Sequence, residues 1–189
     1  FAVLGAAIFG MKKVDVTEVG VKINRISLPP FFESGIVPKS YSAGYVFTIP
    51  VIQTLDVIDT QIHTLELSKS YAGPPIGGDK ALEIRTHDES TVHMDVSVFY
   101  QIDRDKAYVF WGNVAKGSGQ KEDYYTQLAA TLKRELRDQL HFTLGVMGRD
   151  EFYNASEKRE SLALIAKDQI NHKFETDRLG IKLVDILIR

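Results

Sequence analysis

The pattern of apolar and polar positions divides the chain into a strand-patterned first part and a helix-patterned second part. Residues 14–24 alternate loosely and predict a first strand. Residues 26–32, Ile-Ser-Leu-Pro-Pro-Phe-Phe, carry four large apolar groups, but two prolines bar a central strand. Two readings stand for this loop: a tip that dips into a lipid surface through Leu28, Phe31 and Phe32, or a loop folded under the core. Residues 44–50 and 55–67 predict strands. In the second, the apolar phase slips from Leu55 and Val57 to Ile58 and Ile62, then to Leu65 and Leu67. Such a slip predicts a bulge or a strand buried on both faces. Residues 69–80, with Gly73-Pro-Pro-Ile-Gly-Gly78, predict a surface loop. Residues 82–86 and 90–102 predict a hairpin around His87, Asp88 and Glu89. Its second arm places Val92, Met94, Val96, Val98, Tyr100 and Ile102 on one face, and Thr91, His93, Asp95, Ser97 and Gln101 on the other.

After a Gly- and Lys-rich linker at residues 112–122, the period changes to that of a helix. Tyr125, Leu128, Leu132, Leu136 and Leu140 form a stripe, opposite Lys133, Arg134, Arg137 and Asp138. A second helix is expected from Asn154 toward Arg178, with Asn154 and Glu157 as a capping pair. Leu162, Ile165, Ile170 and Phe174 would face inward, and Gly180 would follow the helix as its C′ glycine. Residues 181–188 predict a last strand. The fold class is α+β: a β-rich part over 14–115, then a mixed part over 116–189 with two amphipathic helices.

The first thirteen residues change the picture. Phe1, Val3, Leu4, Ile8 and Phe9 stand among small residues, closed by Lys12 and Lys13. Ten apolar residues are too few to span a bilayer, which takes about 20. They fit the last turns of a spanning helix over 1–13, with the lysines reaching toward head groups. The rivals are a signal-peptide remnant or a buried start to the domain. Lysines on this side point to a cytoplasmic main domain, attached as a single-pass membrane protein.

Composition narrows the chemistry. With 23 basic and 25 acidic residues, and no basic stripe, nothing drives the chain toward nucleic acid. The absence of cysteine removes disulfides, thiolate catalysis and Cys-ligated zinc. Gly73 to Lys80 approaches a phosphate loop, but Asp79 occupies the lysine position and would set a carboxylate against the phosphates. His87, Asp88, Glu89 and His93 read as exposed hairpin polar groups before they read as a metal site, and His141 and His172 as surface histidines. Ser118 lies outside any nucleophile elbow. Asn154-Ala-Ser156 is a sequon that helix capping explains better. Tyr108, Phe110 and Trp111 suit core filling at a corner. The alternative to a non-enzymatic protein is a small-ligand-binding or hydrolytic α+β domain, with His93 and Asp95 as its titrating pair. No catalytic, cofactor or metal residue is assigned.

An ordered set of segments carries a family resemblance. It comprises Gly44-Tyr-Val-Phe-Thr-Ile-Pro50, Leu82-Glu-Ile-Arg-Thr86 with Asp88, and Val92 to Ile102 ending in Tyr-Gln-Ile. Leu132-Lys-Arg-Glu-Leu136, Arg159 and Leu179 to Arg189 complete it. Together they resemble the SPFH, or band 7, superfamily of stomatins, prohibitins, flotillins and bacterial partners of membrane proteases. Glu89 stands where a glycine is common, which predicts a hairpin turn longer than two residues. The resemblance implies a membrane-anchored scaffold, followed by a coiled coil beyond Arg189. Copies would assemble as a ring or cage, organise a membrane microdomain, and regulate membrane proteases or other membrane proteins. The implied partners are membrane lipid, further SPFH subunits of the same or a related chain, and an AAA-type membrane protease. A lateral contact would set Arg134, Arg137 and Asp138 against Glu157, Arg159 and Glu160 of a neighbour.

Overall fold

The computed structural model describes residues 10–27, 29–31, 33–68, 81–115 and 121–188; over 121–124 it describes the backbone alone. The architecture is α+β, and the chain divides into two compact units. One comprises Phe1–Gln61, Gln101–Lys116 and Arg178–Ile181; the other comprises Ile62–Tyr100, Gly117–Asp177 and Lys182–Arg189.

The first unit is built on β1 (Gly10–Val14), β2 (Glu18–Asn24), β3 (Gly35–Tyr41), β4 (Gly44–Thr48) and β5 (Gln53–Asp59). β2 lies between β3 and β5, antiparallel to both, and buries Val19 and Val21. β1 and β4 form an antiparallel ribbon, and Val14 and Val46 close a small core with Leu55. Gly20 keeps the approach there open, since a Cβ would stand 3.0 Å from Leu55 and 3.1 Å from Val14. Residues 10–13 are therefore strand rather than the end of a helix. β3 is an element that residue patterning misses. It contains Pro38, tolerated because β3 pairs only with β2, so a missing N–H costs no ladder bond on its open side.

The apolar phase slip of residues 55–67 is a strand break, not a bulge. β5 ends at Asp59, and β6 (His63–Leu67) begins in a different sheet. Buried Thr60 marks the break: its N–H and hydroxyl both donate to Thr17 O at 2.9 Å, and it accepts from Arg104 Nε at 3.1 Å.

The second unit contains the hairpin of β7 (Leu82–Arg85) and β8 (Thr91–Met94), and the sheet ordered β10 (Ile181–Ile188), β9 (Val96–Ile102), β6. The long hairpin arm thus breaks at Asp95: β8 pairs with β7, and β9 pairs antiparallel with β6. Every residue expected on its buried face is buried, Val92 through Ile102. A short helix α1 (Ala107–Phe110) and a π-helical turn (Trp111–Ala115) follow β9 in the first unit.

α2 (Lys121–Leu144) buries Leu128, Leu132, Leu136, Leu140 and Leu144, each contributing about 1.5–3 kcal/mol of apolar burial. Two further helices follow where one was expected: α3 (Arg149–Asn154) and α4 (Ser156–Thr176). Asn154 ends α3 and caps nothing; Ala155 precedes α4 without a side-chain cap. α4 turns Ala163, Ala166, Ile170 and Phe174 inward, and leaves Leu164 and Ile165 about half exposed. The inward phase goes to alanines because small residues allow the closest approach of the layer beneath. Arg178 takes positive φ directly after α4, so the C′ position is its own. Gly180 answers a different need. A Cβ there would lie 2.7 Å from Lys106 O and 2.8 Å from Phe110 N.

Candidate functional site

Two surfaces hold the residues that sequence reasoning singled out. The first is one end of the first unit. β1 starts there, since Gly10 faces Thr48 across the ribbon. The 49–52 turn is there because Asn24 faces Gln53, and Arg25 N–H donates to Ile52 O at 2.7 Å. The β2–β3 loop leaves from the same end, and Asn24 Nδ2 donates to Glu33 O at 2.9 Å. This end exposes Phe31 (82%) and Val51 (81%), with Ile26 half exposed. The described part of the β2–β3 loop is therefore an outward tip, not a flap folded under the core. Val51 holds φ at 72°, unfavourable for a β-branched residue by about 1–3 kcal/mol. Beside it, the outer face of the ribbon carries the cross-strand pairs Met11–Phe47 and Lys13–Tyr45. Met11, Tyr45 and Phe47 are all more than half exposed.

Met11, Ile26, Tyr45, Phe47 and Val51 are additions to the sequence-derived set. The alternation of Tyr45 and Phe47 with Val46 and Thr48 is legible, but which face turns outward is not. Lys12 donates to Leu55 O at 3.0 Å, and Lys13 pairs with Asp15 at 2.8 Å, so both ammonium groups engage the protein here. Phe1, Val3, Leu4, Ile8, Phe9, Leu28 and Phe32 lie outside the described residues. Among the described residues, no helix is long and apolar enough to cross a membrane.

The second surface is the helix layer of the second unit. α2 and α4 are joined by Glu135–Lys173 and Gln139–Gln169, which fix them antiparallel. The Lys173 ammonium holds the Glu135 carboxyl below its ordinary range. Arg134, Arg137 and Asp138 point to solvent on α2, and Glu157 and Glu160 do so on α4. Arg159 differs: its guanidinium donates to Phe152 O at 2.6 Å and lies over the Phe152 ring, tying α4 to α3. By the register of the two joining pairs, Arg134–Asp138 stands level with residues 170–174. Glu157–Glu160 is then 10 to 17 residues away, about 15–25 Å along the helix. The two charged sets thus form separate patches.

Among the residues weighed for chemistry, Asp88 has a structural role. Asp88 accepts from the Thr86 hydroxyl (2.5 Å), from Arg149 N–H at the start of α3 (2.9 Å) and from Ser90 N–H (3.3 Å). These bonds, led by Thr86, lower its pKa to about 2. They clip the hairpin turn to α3, and His87 N–H adds a bond to Met147 O. The turn is longer than two residues, as expected, and Glu89 occupies φ of 62° within it. His93 faces Glu83 across the hairpin at 3.6 Å, and Asp95 stands at the break between β8 and β9. Phe110 is fully buried, while Tyr108 and Trp111 are partly so. The Gly73–Lys80 segment and Ser118 lie outside the described residues.

The architecture is two compact units, a clipped hairpin and an antiparallel helix layer. The family model described as SPFH domain / Band 7 family matches residues 12–189, and the chain belongs to that family. Its members are generally membrane-associated scaffolds and generally not enzymes. No curated protein matches the chain.

Proposed function

We propose that this chain is a membrane-anchored scaffold. Its copies assemble into a large ring or cage that organises a membrane microdomain and regulates membrane proteases or other membrane proteins. The observation that carries the reading is the apolar end of the first unit. The apolar residues 1–9 lead directly into Gly10 at the same end that exposes Phe31, Val51 and Ile26. Large apolar side chains gathered at one end are costly in water and mark a surface made for lipid or protein. Phe31 and its neighbours would sit at the head-group level, beside an anchor supplied by Phe1, Val3, Leu4, Ile8 and Phe9. Many copies in one ring would make weak lipid contacts per copy add to firm attachment. Partners on this reading are membrane lipid, further SPFH subunits and an AAA-type membrane protease.

Tryptophan depth measurements test it. In full-length protein carrying Trp111→Phe, Phe31→Trp is expected to shift to the blue on vesicles and be quenched by brominated lipid. Val16→Trp, exposed at the opposite end of β1, should stay unquenched. Equal behaviour of the two positions would remove the membrane-facing end.

A further inference from the structure

Where the ribbon of the first unit meets its sheet, two cations share one aromatic ring. Lys22 Nζ on β2 donates to Phe47 O on β4 at 2.8 Å and lies 5.0 Å from the centre of the Tyr41 ring. Lys39 Nζ on β3 lies 5.5 Å from the same centre. An irregularity of the sheet brings the two lysines level. Between the pairs Val21–Ser40 and Ile23–Ile36, β2 has the single residue Lys22, whereas β3 has three, Val37 to Lys39. Such a bulge re-aims a side chain, and here it sets Lys39 opposite Lys22.

The charge of the pair is not balanced within the unit. One ammonium on a tyrosine ring is an ordinary cation–π contact, but a second on the same ring adds repulsion. Neither Lys22 nor Lys39 makes an ion pair with an acid among the described residues. Lys22 faces Leu55 across the sheet, and the adjoining acid, Asp56, faces Val21 and so turns to the other side. Burial first, and then the charge of Lys39, hold the Lys22 pKa below its ordinary value. Half-buried Lys22 therefore carries its charge at a cost that an anion beside it would remove.

Position decides the kind of anion. Asn24 closes β2 at the apolar end of the unit, where it faces Gly35 and Gln53. Lys22 stands two residues from it, about 7 Å along the strand. The head-group layer of a bilayer is about 5–8 Å deep. With Phe31 and Val51 entering that layer, Lys22 and Lys39 stand at its outer margin, within reach of a lipid phosphate. Phe47, whose carbonyl holds Lys22, exposes its ring on the outer face of the ribbon, with Tyr45 exposed two residues before it. Aromatic groups of this kind favour the same interfacial layer, and a dissolved anion gains nothing from them.

We propose that Lys22 and Lys39, set side by side on Tyr41, bind the phosphate of an anionic lipid head group. This rests on the membrane-facing reading above and names the lipid chemistry that the first unit selects. An ammonium has three donors, so Lys22 keeps Phe47 O with one and offers the others to phosphate oxygens. Lys39 is exposed and turns its own donors to the same group.

Flotation of the full-length protein with phosphatidylcholine vesicles, with and without phosphatidylglycerol, tests the site. Wild type is expected to bind the anionic vesicles about thirtyfold more tightly than the neutral ones. Lys22→Gln and Lys39→Gln should each weaken binding to anionic vesicles about fivefold, and together about thirtyfold, with little change on neutral vesicles. Lys39 is exposed, so Lys39→Gln reads the head-group contact apart from folding, and Lys39→Arg should keep wild-type affinity. Lys182→Gln, exposed on β10, makes the same change in net charge and should leave the preference intact. Equal losses for Lys182→Gln and Lys39→Gln would overturn the site in favour of diffuse charge. Binding of inorganic phosphate in calorimetric titration, without a preference for anionic vesicles, would overturn the lipid as the source. Quenching of the Phe31→Trp probe by brominated lipid, with no anionic preference and no phosphate binding, would overturn the site and leave the membrane-facing end intact. Failure to bind vesicles of either composition would overturn both.

Discussion

Val51 states at one residue the conflict between folding and surface. Its left-handed backbone suits glycine, and its isopropyl group points into solvent at 81% exposure. Neither feature helps the isolated fold, and on the proposed reading the side chain is held there for contact with lipid. Val51→Gly is expected to raise the unfolding free energy by roughly 1 kcal/mol while weakening vesicle binding. Chemical denaturation and vesicle flotation read the two effects separately. A loss of stability with unchanged binding would mean that the turn serves folding alone. Sequence alone singles out Phe31 because Pro29 and Pro30 exclude a strand beside it. It passes over Val51, because nothing in Pro-Val-Ile-Gln announces a positive φ.

Elements are legible where period and burial agree. The leucines of α2 recur at helical spacing and are all buried, and the Val92–Ile102 alternation finds its inner face. Elsewhere apolarity misleads. Ile165 outranks Ala163 on any hydropathy scale, yet Ala163 packs and Ile165 does not. The 55–67 segment reads as one strand because its break is made by hydrogen bonds from Thr60 to Thr17, 43 residues away. Such long-range bonds leave no local trace. The clip between hairpin and α3 is of the same kind, and it titrates. Asp88 binds its proton more weakly in the fold (pKa about 2) than in an unfolded chain (3.8), so the clip stabilises fully above the unfolded value. That stability is lost as pH falls from about 4 through about 2. Asp88→Asn should lower stability at neutral pH and flatten the stability–pH curve between those values. A variant curve parallel to wild type would show that the carboxylate is not the clip.

At the scale of the molecule, the two units divide the work. The first offers an apolar end at which β1 begins, and the second offers a helix layer with exposed charged positions. The ordered motifs of the sequence identify the family, and the model match over residues 12–189 establishes it. The proposed charged interface was legible only as exposed positions. Arg159 bonds Phe152 O within its own copy, a contact that no local pattern announces. On the proposed reading the chain acts as an assembly, so that claim is tested by particle mass and shape. Full-length protein extracted from membranes in mild detergent should appear by electron microscopy as rings or domes of many copies. Monodisperse monomers or dimers would contradict the account.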